Sequence, residues 1–481
     1  MEKSILNNAI FNVLYKSLTV IFPLITISYA SRLLGPVGIG NISSAQNIAT
    51  YFVMFASLGI PQYGVRELAR SKKDRRSCDK TFSELFIINL IASAICSLIY
   101  FIVIFQIDNF QNSLRLNLVF SVTVLLNIFN IDWVYRAFEQ YRYIAIRSFL
   151  IKSISLILLV IFINDPKDIV CYASIVCFGT VGNYILNMIN LRNFVSFRFN
   201  GLCIGRHIIP IFIFFASVIA VELYSLIDVT MLTWLTQSKN VGYYSNSSKV
   251  IKTIAATITA IGAVLLPRLS LYFNENRTEE TEKVLSKVLK TIIFFAFPCT
   301  IGLIITADKI VLIAFGKDFL PVVNTLRILS PLIIMMPLSG GIGAQILQTT
   351  NNEKLYMCSV YMGAFTNFIL NIIFIREFEQ NGAAFASAIT ECLVTGVMLM
   401  FCSRIVKFKI DKRFLSSVGI ASLIMGVLVC LMNKIFVDIN IIMIFLSEVV
   451  IGVICYFIIL FFLKNELLLE FIDRLHNKIK I

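Results

Sequence analysis

The chain has 481 residues, of which 58% are hydrophobic and only 15% charged, with a mean hydropathy of +0.84 and a net charge of +14. A soluble globular domain carries about 25% charged residues, so this composition excludes one. A nucleic-acid partner is the weaker reading of the net charge, because no soluble segment is left to present it. In lipid, where no water satisfies the backbone, such a chain must cross as helices of about 20 apolar residues each. In chain order the apolar stretches predict spans near 10–32, 41–60, 82–106, 114–135, 147–163, 168–190, 208–235, 244–267, 288–306, 322–347, 355–375, 382–402, 414–433 and 441–463. The expected fold is therefore all-α and polytopic, with about 14 membrane helices.

Orientation follows from the basic residues between spans. With the N-terminus inside, the inward segments hold 29 of the 42 Lys and Arg, including the run Arg66 to Lys80 and the clusters Arg136/Arg142/Arg147 and Arg404 to Arg413. The outward links hold eight: Arg32, Arg115, Lys167, Lys239, Lys309, Lys317, Arg376 and Lys434. That asymmetry places both termini in the cytoplasm, and the net charge also favours anionic lipid headgroups. The first apolar segment is too long for a cleaved signal peptide and lacks a small-residue cleavage site, so it is expected to stay as a span. The eleven cysteines lack CxxC spacing and read as packing residues. With only His207 and His476 in the chain, no histidine metal site and no cofactor are expected. Trp133 and Trp234 fall near span ends, where interfacial anchors sit.

The chain looks duplicated. Val37-Gly38 with Ser43-Ser44 enters the second span, and Val241-Gly242 with Ser247-Ser248 enters the eighth, at the same place in a six-span unit. Two pseudo-symmetric six-helix lobes, 1–205 and 206–405, are expected, followed by an extra helix pair and tail at 406–481. Parallel repeats with a site near the membrane midplane are a transporter architecture.

Several segments carry a family resemblance: the run from Ser31-Arg32 to Gly40, the run from Gly59-Ile60-Pro61 to Ala69, Ile227-Asp228 through Ser245, Leu265-Leu266-Pro267-Arg268-Leu269-Ser270, Gln345 to Gln348, Asn367 with Asn371, and Gly382 to Ala386 with Glu391. In this order they resemble the O-antigen (Wzx-type) oligosaccharide flippases. That family's superfamily also includes lipid II flippases and multidrug exporters. Thr349-Thr350-Asn351 departs from the small or glycine-containing turn common in the family. The resemblance implies alternating access between two lobes and transfer of an undecaprenyl-diphosphate-linked oligosaccharide to the periplasmic leaflet of a bacterial inner membrane. It implies membrane lipids, a polysaccharide polymerase and a chain-length regulator as partners.

A diphosphate crossing lipid needs a polar, cationic path, since its desolvation costs many kcal/mol. Outside the links the basic residues are Lys16, Lys152, Lys249, Lys252 and Arg327. Charged groups in spans are costly and face an interior or a wet path. Lys249 and Lys252 share a helix face one turn apart and are candidates for substrate phosphate. Asp228 lies at a similar depth to Lys252, so the two can pair and leave Lys249 for the phosphate; a purely structural ion pair beside a snorkelling lysine is the other reading. Lys16, about six residues into the first span, has the same two readings. Arg32 and Arg66, at span ends, are substrate candidates or headgroup anchors. Glu222, mid-span, is a candidate for proton exchange or a carboxyl bonded to a neighbouring helix. Glu391 is an ion-coupling or packing residue. Asn127, Asn130, Asn367 and Asn371 are expected to bond between helices. Pro23, Pro298, Pro331 and Pro337 each remove an intrahelical bond and can bend their spans.

Two other classes are weighed. A membrane polysaccharide polymerase or glycosyltransferase would gather acid and base groups in a large outward loop, and the longest here is about 15 residues, so no enzyme is expected. A multidrug or lipid II exporter would share the fold. The trailing helix pair and an excess of lysine over carboxylate in the spans weigh against cationic drugs.

Overall fold

The computed structural model describes residues 2–72, 74–107, 113–263, 272, 275, 277–350, 352–407, 411–435 and 440–479; side chains at 2–21, 262–263, 278, 433–435 and 474–479 lie outside the description. The Leu265 to Ser270 segment, Asn351 and the Lys16 side chain therefore lie outside the described residues. The described residues are almost entirely helical and hold no strand. The chain divides into two compact units, Met1–Gly242 and Tyr243–Ile481. This boundary is set by packing, one helix later in the chain than the repeat boundary near 205 expected from the sequence.

In the first unit, α1 (Glu2–Ser57) contains two spans separated at Gly35, whose φ of 68° and ψ of 176° break the helix. Pro36 then starts the second span with a preset φ. Leu58 and Gly59, both at positive φ, end it, and α2 (Ile60–Ser71) follows. This short helix is amphipathic: Ile60, Tyr63, Gly64 and Leu68 are buried, while Arg66 and Arg70 are exposed. Next come α3 (Arg75–Gln106), α4 (Leu114–Leu125, prolonged by a 3-10 turn to Phe129), α5 (Asp132–Ala137), α6 (Tyr141–Phe162), α7 (Ile169–Asn190) and α8 (Gly205–Leu235). The α6–α7 turn is closed by Asp168, which accepts from the Asn164 and Asp165 amides at 3.0 and 2.9 Å. Those bonds hold its carboxyl below the ordinary range. Trp133 is no interfacial anchor: it is 2% exposed, in a core with Ile60, Leu68, Phe82 and Ile211. A Cβ on Gly64 would lie 2.6 Å from its ring. Trp234, by contrast, is 49% exposed, as an anchor would be.

In the second unit, α9 (Ser238–Ala263), whose first turn through Gly242 packs with the first unit, is followed by α10 (Thr278–Ala314). The tenth span is broken into α11 (Val322–Leu329), α12 (Leu332–Met336), a π-helical turn (Pro337–Gly343) and α13 (Ala344–Thr349). Pro331 caps α12 at a break between two α-helices and Pro337 starts the π turn, so both expected bends coincide with interruptions of the α-helix. α14 (Glu353–Ile405) is again two spans merged, with non-helical geometry at Glu379. The trailing pair, α15 (Lys412–Ile435) and α16 (Ile441–Phe462), packs on α10 through Phe294, Val418, Met425 and Tyr456. Amphipathic α17 (Glu466–Ile479) closes the chain.

Each of the fourteen expected spans has a helical counterpart. Among the described residues ten stretches are long and apolar enough to cross a membrane; one, Phe22–Ser71, runs across the Gly35 break and another contains both halves of α14. The Leu114–Phe129 helix is shorter, and α9 is rich in Ser, Asn and Lys. The chain is a multi-pass membrane protein.

Candidate functional site

The α9 sequence, Ser-Lys-Asn-Val-Gly-Tyr-Tyr-Ser-Asn-Ser-Ser-Lys-Val-Ile-Lys, is the least apolar of the expected spans. Its polar half is buried at Asn240, Ser245, Asn246 and Ser247. Lys249 follows half-buried, and Lys252, one turn on, is exposed. Among the described residues of its unit, neither ammonium has a carboxylate within 4 Å. The structure thus presents two adjacent cations on one spanning helix, as the sequence suggested.

The α14 helix faces this region of its own unit with a polar stripe spaced by four residues. The Ser387 hydroxyl shares a 2.9 Å hydrogen bond with Tyr244 of α9. Glu391, 5% exposed, accepts from the Ser339 hydroxyl of the π turn at 2.5 Å. Thr395 donates to the Met335 carbonyl at 3.3 Å. One turn of π-helix in an otherwise α-helical span often marks a functional position. Here it places Ser339 against the buried carboxyl. Asn371 Nδ2 donates to Asn367 Oδ1 at 2.9 Å, and both side chains are buried.

In the first unit, α8 meets the second half of α1 along a polar seam. Ser44 and Thr233 hydroxyls lie 2.8 Å apart, Asn47 Nδ2 donates to Thr230 Oγ1 at 2.7 Å, and Tyr51 reaches the same hydroxyl at 3.0 Å. Asp228 is buried beside this seam, and Glu222, two turns earlier, is half-buried; both are engaged by neighbouring groups. Arg32 and Arg66 are exposed at span ends. Asn127 bonds between helices, donating from Nδ2 to Ser57 Oγ at 3.2 Å, whereas Asn130 bonds locally, donating to Asn127 Oδ1 at 3.3 Å.

At one end of the seam, two backbones touch. A Cβ on Gly40 would lie 1.7 Å from the Ser238 carbonyl oxygen, and one on Gly242 would lie 2.2 Å from that of Pro36. These are the repeat-related segments at the starts of the second and eighth spans, which only glycine allows to come so close.

Three buried charge clusters escaped the sequence reading. Glu84 of α3 is fully buried and accepts from Arg206 Nη2 at 2.6 Å, His207 Nε2 at 2.8 Å and the Cys203 amide at 2.5 Å. His207 Nδ1 in turn lies 2.8 Å from the Tyr63 hydroxyl. Arg147, counted as an inward-link charge, is 3% exposed inside the first unit. It pairs with Asp132 at 3.0 Å and donates to Asn183 at 3.0 Å. Lys309, counted in an outward link, lies within α10 and pairs with Glu448 of α16 at 2.7 Å, both buried. The cost of a carboxylate in a span, which singles out Glu222, applies equally to Glu84 and Glu448 and was the available signal.

Comparisons with known proteins bear on this architecture. Residues 5–273 match the family model described as "Polysaccharide biosynthesis protein". A protein of Escherichia coli K12 named "Putative O-antigen transporter" is 22% identical over 83% of this chain and 96% of its own length. A "Probable low-salt glycan biosynthesis flippase" of Haloferax volcanii is 28% identical over 42% of this chain and 43% of its own. Among solved structures, a lipid II flippase in an inward closed conformation superposes with a TM-score of 0.72 at 16% identity, covering 95% of this chain and 97% of the other. An inward-facing multidrug resistance transporter described as of the MOP superfamily gives 0.64 at 12% identity, covering 82% of this chain and 97% of the other. The match over more than half of the chain, residues 5–273, shows the family: this protein belongs to the polysaccharide biosynthesis protein family.

Proposed function

We propose that the chain moves undecaprenyl-diphosphate-linked oligosaccharide repeat units from the cytoplasmic to the periplasmic leaflet of a bacterial inner membrane by alternating access, with both termini cytoplasmic. The observation that carries this reading is the Lys249–Lys252 pair on α9. Two cations one turn apart in a spanning helix are costly unless an anion visits them, and a diphosphate is such an anion. Lys16, Arg32 and Arg66 would guide the same anion at the span ends. Glu222, Asp228 and Glu391 are the carboxyls placed to exchange an ion or proton as the cycle turns. The relatives' names, O-antigen transporter and glycan flippase, support the substrate class.

A lipid II exporter is the second reading, favoured by the fold likeness that extends over 95% of the chain. The multidrug transporter covers less, by an amount comparable to the trailing pair and tail.

In cells lacking this chain, lipid-linked oligosaccharide should accumulate on the cytoplasmic side and surface polysaccharide should be lost. A Lys249→Ala complement should restore export about 10- to 100-fold less well than the natural chain, because a hydrogen bond to a charged group is worth about 1.5–3 kcal/mol. Unchanged lipid-linked oligosaccharide in the deletion would overturn the substrate. Full activity of Lys249→Ala would remove that lysine from the path.

A further inference from the structure

A proline inside a membrane helix leaves the carbonyl four residues earlier without its donor, and the ring pushes that carbonyl outward. In α10 the proline is Pro298 and the carbonyl belongs to Phe294. Its donor comes from another helix. The Tyr456 hydroxyl of α16 donates to the Phe294 oxygen at 2.7 Å, and Tyr456 is 3% exposed. The Phe294 and Tyr456 rings meet edge to face, 5.7 Å between centroids. Beyond the proline, α15 comes so close that a Cβ on Gly426 would lie 2.8 Å from the Ile301 side chain. Further along α10, Lys309 is paired with Glu448 of the same α16.

The trailing pair therefore grips α10 on both sides of Pro298. A buried tyrosine needs some acceptor. Packing alone, however, does not require that acceptor to be the one carbonyl a proline has orphaned. We propose that α15 and α16 splint the proline break in α10, with Tyr456 as the positioning residue that supplies the missing donor and makes α10, α15 and α16 move as one body. The trailing pair is then part of the carrier's working frame. The stability of this splint stands whatever the chain carries; its effect on transport rests on the flippase reading.

The test uses the full chain in four forms: natural, Tyr456→Phe, Pro298→Ala and the double variant. In detergent, Tyr456→Phe should lower the thermal midpoint by about 2–4 °C, the shift for one lost hydrogen bond. With Pro298→Ala the residue 298 N–H reaches the Phe294 carbonyl, and adding Tyr456→Phe should then change the midpoint by less than about 1 °C. Equal drops in the two backgrounds, or none in either, would overturn the splint. In reconstituted vesicles carrying lipid-linked oligosaccharide, turnover per folded molecule should fall at least threefold for Tyr456→Phe. Unchanged turnover would overturn the positioning role while leaving the bond. If the flippase reading itself fails, the natural chain gives no turnover either, and the thermal coupling still reports on the splint.

Discussion

Gly40→Ala is expected to leave a chain that reaches the membrane but transports at least about tenfold more slowly than the natural protein. The added methyl would sit 1.7 Å from the Ser238 carbonyl oxygen, where real contacts are not below 3.0 Å, so the two backbones must part by more than about 1 Å. Overpacking of that kind costs about 1–3 kcal/mol, and here the obstacle is backbone, which cannot rotate away. This contact, Pro36 to Gly40 against Ser238 to Gly242 within the first unit, seats the start of α9, the helix that carries Lys249 and Lys252. A variant that unseats it shifts the helix on which the proposed path depends. Gly242→Ala, 2.2 Å from the Pro36 oxygen, should behave alike. Gly419→Ala, with nothing within 4 Å, is the control and should transport normally. Initial rates and thermal midpoints of the three variants check this; a normal rate for Gly40→Ala would remove the contact from the mechanism.

Glu84→Ala should cost more stability than any other single substitution discussed. The carboxylate is fully buried and gathers the Arg206 guanidinium, the His207 ring and the Cys203 amide, tying α3 to the segment that leads into α8. Removing one partner of a buried charged cluster costs about 3–5 kcal/mol because the others are left unpaired. Arg206 is partly exposed and can turn to water. The larger share of the loss therefore falls on His207 and the Cys203 amide. Glu84→Gln keeps the shape and one acceptor, so its loss should be about half as large. Membrane levels and unfolding midpoints distinguish the two, and equal stability of Glu84→Ala and the natural chain would contradict the cluster's structural role.

Most of the architecture was readable because hydropathy and length decide which segments enter lipid. The expected spans lie on helices. The bond from Asn127 to Ser57 of another helix was also where cost arguments put it. What failed was the assignment of charges by position alone. Arg147 and Lys309 lie close to expected links, but their partners Asp132 and Glu448 are separated from them by 15 and 139 residues. No local pattern announces such a pair. Trp133 was misread for the same reason: its burial depends on Gly64, more than sixty positions away, having no side chain. The π turn at Pro337–Gly343 was visible only as a proline, since the register change that brings Ser339 to Glu391 arises from packing against α14.

The most direct measurement reconstitutes the purified chain in liposomes containing undecaprenyl-diphosphate-linked oligosaccharide and follows, with a membrane-impermeant sugar-cleaving reagent, how fast the inner-leaflet pool becomes accessible. The account predicts rapid exposure with the natural chain, slower exposure with Lys249→Ala and none in protein-free liposomes. Equal rates with and without the protein, or movement of lipid II while the oligosaccharide stays in place, would contradict it.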